Sequence, residues 1–180
     1  MDKKILGDLC QALKAAHDME KSGYDIYMKA AEKTSNKLGK STLEAIAKKE
    51  LDHIKAIDEF TKKATQGDLN LAMAISSINV LDKKDYVRPI MDKLAKELDE
   101  KVKSDSDLEK AYEVAMQLER ESYDFYKDLA DQSADPQVKK FFEFLMSEEN
   151  THYELLQESL EYLNHPGDWF KEQERWIMEG

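Results

Sequence analysis

The sequence is poor in residues that break or cross-link a chain. Only three prolines and six glycines occur among 180 residues, too few for the many tight turns of a β-sandwich or barrel. The single cysteine, Cys10, excludes an internal disulfide framework and any Cys-x-x-Cys metal site, and is expected to serve packing. No apolar run approaches the roughly 18 residues that a membrane span needs. The segment 1–7 also lacks the apolar stretch of a secretory leader, so the expected compartment is the cytoplasm. Basic residues are in the minority, 27 against 38 acids, for a formal charge of −11. Phosphate neutralisation requires a basic surface, so neither a nucleic acid nor an anionic membrane is an expected partner.

What is abundant is Ala, Leu, Glu and Lys in long periodic segments, the composition of an all-α protein. The length suits one domain, 1–180. Within it lies an internal repeat: shifted by 99 positions, 8–63 aligns with 107–162 without a gap, and 14 positions are identical. Among them are Glu20/Glu119, Tyr24/Tyr123, Tyr27/Tyr126, Glu50/Glu149 and His53/His152. Each copy reads as a helical hairpin, broken at Thr34–Gly39 in the first and at Gln132–Pro136 in the second. The pattern predicts helices at about 8–34, 40–65, 106–132 and 136–163, with Asp135-Pro136 as a start signal for the last. The stretch 64–104 between the hairpins is too long for a turn, as required of a crossover running back along a four-helix bundle. A stop signal, Asn164-His165-Pro166-Gly167, precedes the tail, where Trp169, Phe170, Trp176 and Ile177 predict a short packed C-terminal helix within 164–180.

Helical spacing exposes an anomaly. The second helix reads Leu43, Ile46, Glu50, His53, Ile57, Phe60 along one stripe, and the fourth reads Phe142, Leu145, Glu149, His152, Leu156, Leu160. Helix one reads Leu9, Leu13, Ala16, Glu20, Tyr24, Tyr27, Ala31, and helix three Leu108, Tyr112, Ala115, Glu119, Ser122, Tyr126, Leu129. A glutamate interrupts every face that should be buried. Four unpartnered carboxylates would cost more than the roughly 5–15 kcal/mol by which a domain of this size is stable. No Lys or Arg occupies these stripes at the same depth, whereas two divalent cations would neutralise four Glu and two neutral His. Depth agrees: at 1.5 Å per residue, Glu20 and Glu50 lie roughly 25 and 20 Å from the same turn. One Glu-x-x-His is weak, but two in register, each with a lone Glu 30 positions upstream, match the constellation of ferritin-like di-iron and di-manganese bundles. The expected metal ligands are therefore Glu20, Glu50, His53, Glu119, Glu149 and His152. Mixed carboxylate and imidazole donors suit two ions of iron or manganese, with zinc also possible.

At these residues the chain resembles the rubrerythrin family of the ferritin-like superfamily, in a form without the rubredoxin domain. The resemblance spans 8–163 and is carried by Met19–Tyr27, Glu50-Leu51-Asp52-His53, Leu118–Tyr126 and Glu149-Asn150-Thr151-His152. It implies a non-haem di-iron oxidoreductase that reduces hydrogen peroxide, with Glu20 and Glu119 as terminal ligands. Dioxygen is the alternative oxidant, electrons would come from a separate donor such as a rubredoxin, and a homodimer is the expected assembly. Rubrerythrins carry a further carboxylate three residues after the third-helix Glu, where this chain has Ser122. The symmetric six-ligand set is closer to bacterioferritin and simpler erythrin-like proteins, which keeps open ferroxidase or iron-storage activity, and beside it a non-catalytic metal-binding bundle.

Tyr27 and Tyr126 lie two helical turns beyond Glu20 and Glu119 and are the catalytic candidates, through hydrogen bonds to ligand carboxylates or by relaying an electron. Tyr24 and Tyr123, one turn away, can do the same. Asp25 and Asp124 are candidate acceptors for the outward ring nitrogens of the two ligand histidines. His17 faces Met116 across the repeat, which favours a supporting role over ligation.

Overall fold

Helix-favouring residues with an apolar position every three or four places form four long helices. The computed structural model describes residues 3–66 and 108–165, with side chains from residue 8 onward, and Asp92, Leu94, Lys96 and Leu98 between them. Helix α1 spans Lys3–Glu32, α2 Lys37–Gln66, α3 Leu108–Gln132 and α4 Pro136–Asn164. The architecture is an all-α four-helix bundle, as the periodicity predicts. No described helix is long and apolar enough to cross a membrane.

Two helix starts show how the turns are built. Asp135 caps α4: its Oδ1 accepts from the backbone N–H of Gln137 and Val138 at 2.7 and 3.1 Å, with Pro136 in the first turn. Asn36 does the same for α2, its Oδ1 accepting from Gly39 N–H at 2.9 Å. That cap starts α2 at Lys37, so the predicted start near residue 40 is too late. Gly39 belongs to the first helical turn rather than to the break, and a Cβ there would come within 2.9 Å of Leu108 Cδ1. A close approach between the starts of α2 and α3 accounts for the glycine.

Cross-helix pairs establish the directions. Thr42, early in α2, bonds Ser159, late in α4, at 3.1 Å. Phe60, late in α2, stacks on Phe141, early in α4, with ring centroids 4.1 Å apart. Helices α2 and α4 are therefore antiparallel neighbours, and α1 and α3 form the corresponding pair. The two hairpins pack against each other with equivalent helices face to face. The core runs the length of the bundle between them, with Leu9, Leu13, Leu43, Ile46, Phe142 and Leu145 fully buried. Each such side chain contributes about 1.5–3 kcal/mol on burial. From the crossover, helical Leu94 and Leu98 join this core, and Lys33 Nζ donates to the Leu98 carbonyl at 3.5 Å. The rest of the crossover and the predicted terminal helix lie outside the described residues.

Candidate metal centre

All six predicted ligands meet halfway along the bundle. Glu20, Glu50, His53, Glu119, Glu149 and His152 are each no more than 3% exposed, because the core stripes carry them inward at the same level. Their donor atoms form two overlapping groups. One comprises Glu20, Glu50, His53 and Glu149, the other Glu50, Glu119, Glu149 and His152, and within each group the donors lie within 4.8 Å of one another.

Glu50 and Glu149 belong to both groups, and their oxygens are divided between the histidines. Glu50 presents Oε2 to His53 Nδ1 at 3.5 Å and Oε1 to His152 Nδ1 at 3.5 Å. Glu149 presents Oε1 to His53 Nδ1 at 3.4 Å and Oε2 to His152 Nδ1 at 4.0 Å. Glu20 and Glu119 each serve one side, at 3.3 Å from His53 Nδ1 and 3.6 Å from His152 Nδ1. The imidazoles lie nearly parallel, 14° apart in plane with centroids separated by 5.1 Å. These are two overlapping four-donor groups that share Glu50 and Glu149, with one further Glu and one His apiece.

Tyr27 and Tyr126, both fully buried, tie the halves together. Tyr27 on α1 donates its hydroxyl to Glu119 Oε1 on α3, and Tyr126 on α3 donates to Glu20 Oε1 on α1. Each hydroxyl therefore reaches the terminal carboxylate of the opposite repeat. Burial first, then the surrounding carboxylate charges, raises both phenols well above their ordinary value, so they remain donors.

Burial and mutual repulsion favour protons on Glu50 and Glu149 unless a cation replaces them. Burial, reinforced by the charge and hydrogen bond of Glu20, pushes Glu50 up to about 8. Burial and the charges of Glu20, Glu119 and Glu50 lift Glu149 well above the usual carboxylate range. For Glu20 burial alone would act upward, but hydrogen bonds from Glu50, His53 and Tyr126 and the His53 charge bring it below the usual value. Burial would depress both histidines, yet the carboxylates outweigh it: Glu119 and Glu50 raise His152 to about 9, and Glu149, Glu20 and Glu50 raise His53 further. Among the described residues no Lys or Arg nitrogen lies within 4 Å of the four carboxylates. Five buried donor atoms have no hydrogen-bond partner there: Glu119 Oε2, Glu149 Oε1, His53 Nε2 and both ring nitrogens of His152. Glu119 Oε2, Glu149 Oε1 and His152 Nδ1, orphaned at one focus, are atoms that a bound metal would satisfy.

Other candidates fall elsewhere. Asp25 and Asp124 are exposed and cannot buttress the histidines: five residues past a buried Glu is about 140° around the helix. His17 is one-third exposed, 3.8 Å from Asp18 and 4.0 Å from Asp58, away from the centre. Tyr24 and Tyr123 are half-buried, and Tyr123 lines a cavity of about 340 Å³ between α3 and α4. Glu119 and Glu149 form its buried end and Arg120, Asn150 and Tyr153 its outer walls. Arg120 lies 4.8 Å over the Tyr153 ring and donates to its hydroxyl. The periodicity does not reveal this cavity, nor the half-buried Glu148 beside His53. The one sequence sign of Glu148 is its pairing with Lys49 in a repeat that otherwise preserves the site.

A four-helix bundle with two Glu-x-x-His half-sites sharing carboxylates at its centre defines a ferritin-like protein with a metal-binding site. The rubrerythrin family model matches residues 11–160, and the chain belongs to that family. No curated protein and no solved structure matches it.

Proposed function

We propose that the protein is a non-haem di-iron oxidoreductase that reduces hydrogen peroxide, with Glu20, Glu50, His53, Glu119, Glu149 and His152 as ligands to two iron ions. The observation that carries this reading is the sharing of Glu50 and Glu149 between two four-donor groups with no Lys or Arg partner among the described residues. Bound as a pair, two ferrous ions supply the two electrons that convert hydrogen peroxide and two protons into two waters. The protein's part is to fix the donors and govern access. Glu20 and Glu119 are held by Tyr126 and Tyr27. The cavity at Glu119 and Glu149 is a route for a small polar oxidant, walled by the Arg120, Asn150 and Tyr153 side chains. Electrons for the next cycle would come from a separate donor such as a rubredoxin, and the working assembly is a homodimer.

A second reading, oxidation of ferrous iron for storage, is favoured by buried Ser122, which stands where rubrerythrins have a further carboxylate. Anaerobic Fe(II) loading followed by stopped-flow oxidation separates the two. The expected result is two iron ions per chain, oxidised faster by peroxide than by dioxygen, in a particle of dimer mass. Preference for dioxygen together with a cage-sized native mass would favour storage. Two ions that react with neither oxidant would leave a metal-binding bundle without redox catalysis, and a stoichiometry of one or none would sink the dinuclear assignment.

A further inference from the structure

Both ligand histidines turn Nδ1 toward the shared carboxylates and leave Nε2 facing away. A metal-bound imidazole is oriented, and made a stronger donor, when that outward N–H meets a carboxylate. At His53 a carboxylate stands within ion-pair distance, though beyond hydrogen-bond length: Glu148 Oε2 lies 3.7 Å from Nε2, from a side chain 32% exposed. The Nε2 atoms of His53 and His152 both lack a hydrogen-bond partner, but among the described residues no carboxylate comes within 4 Å of His152 Nε2. The Glu148 carboxylate comes within 4.8 Å of a His152 ring nitrogen but makes no hydrogen bond to it.

The asymmetry originates in the repeat. Because α2 and α4 are antiparallel neighbours, the residue preceding Glu149 on α4 reaches the outer edge of His53 on α2. By the same symmetry, the repeat position that corresponds to Glu148 is the residue preceding Glu50 on α2, and that residue is the exposed Lys49. An ammonium offers donors only and cannot accept the His152 N–H. The duplication thus keeps all six donors while putting opposite charges at the equivalent positions 49 and 148.

We propose that Glu148 is a positioning residue that accepts the His53 Nε2–H, giving one half-site a carboxylate–histidine–metal triad that the other lacks. The two metal positions are consequently inequivalent, and the ion held by Glu20 and His53 is bound more tightly than the ion held by Glu119 and His152. This inference rests on the dimetal reading above.

Cobalt(II) is the probe, loaded anaerobically into the full chain and followed by proton NMR and by competition with a chelator. The wild-type protein should show two strongly shifted exchangeable N–H resonances, one per ligand histidine, with one exchanging more slowly against solvent. Glu148→Ala should abolish that protection and weaken the tighter binding step about tenfold. Glu148→Gln, which keeps an acceptor without the charge, should restore part of both. Lys49→Glu should slow the second resonance and narrow the gap between the two affinities. Glu148 is partly exposed, so none of these substitutions opens the core. If Glu148→Ala leaves both resonances and both affinities within about twofold of wild type, or if Lys49→Glu leaves the second resonance unprotected, the proposal is overturned. Binding of fewer than two cobalt ions by the wild-type chain would overturn the dimetal reading itself, a distinct failure visible before any variant is made.

Discussion

At the scale of single residues, the buried tyrosines distinguish packing from a polar role. Tyr27 and Tyr126 fill core volume, but each also donates to a buried carboxylate. Removing one hydroxyl leaves a buried oxygen unsatisfied, at a cost of about 1–3 kcal/mol. Tyr27→Phe should therefore destabilise the metal-free protein by about that amount, measured by urea denaturation. It should also weaken cobalt(II) binding on the Glu119 side about tenfold, and Tyr126→Phe should do the same on the Glu20 side. Unchanged stability and affinity in both variants would reduce the tyrosines to core filling. The position of each tyrosine two turns from a glutamate is visible in the linear chain, because helical periodicity is local. Its partner is not, since Tyr27 bonds Glu119 of the other repeat rather than Glu20 on its own helix.

Single helices take their limits from caps, and here the two hairpins share a device. Asn36 and Asp135 occupy equivalent repeat positions, and each accepts from backbone N–H groups of the helix it opens. Asp135→Ala should cost about 1 kcal/mol of stability, read as a lowered urea midpoint with an unchanged slope. No loss would mean that Pro136 and packing alone define the start of α4. The second hairpin is legible because Asp followed by Pro is an unambiguous start. The first is less so: Asn36 sits among other turn-forming residues, and Gly39 reads as a breaker although it is a contact with Leu108. A glycine kept for close approach and a glycine kept for a turn look alike until the neighbouring helix is in place.

For the molecule as a whole, burying so many acids couples folding to protons and metal. In the metal-free state, burial and Glu20 raise Glu50 from the usual 4.5 to about 8, and the carboxylates raise His152 from 6.5 to about 9. Both groups bind protons more tightly when folded than when unfolded. Their stabilising contribution is present below the unfolded values and is lost as pH rises through about 8 and about 9. The Tm of metal-free protein should accordingly fall across that window, whereas metal-loaded protein should resist the fall because cations replace the protons. Calorimetry of both forms across the same pH range checks this. A metal-free Tm that is flat or rising would show that the acids are neutralised by some other group.

The sequence by itself determined the four helices, the duplicated hairpins and the six buried donors. These depend on helical spacing and on the cost of putting charge in a core, and both can be judged from one segment at a time. Only the tertiary structure decided that Glu50 and Glu149 are shared, that each tyrosine reaches across to the opposite repeat, and that a cavity opens on Glu119 and Glu149. It also separated Glu148, set against the outer nitrogen of His53, from exposed Asp25 and Asp124. Those outcomes depend on how far each helix is rotated and slid against its neighbours, a register set by the packing of all four core stripes together.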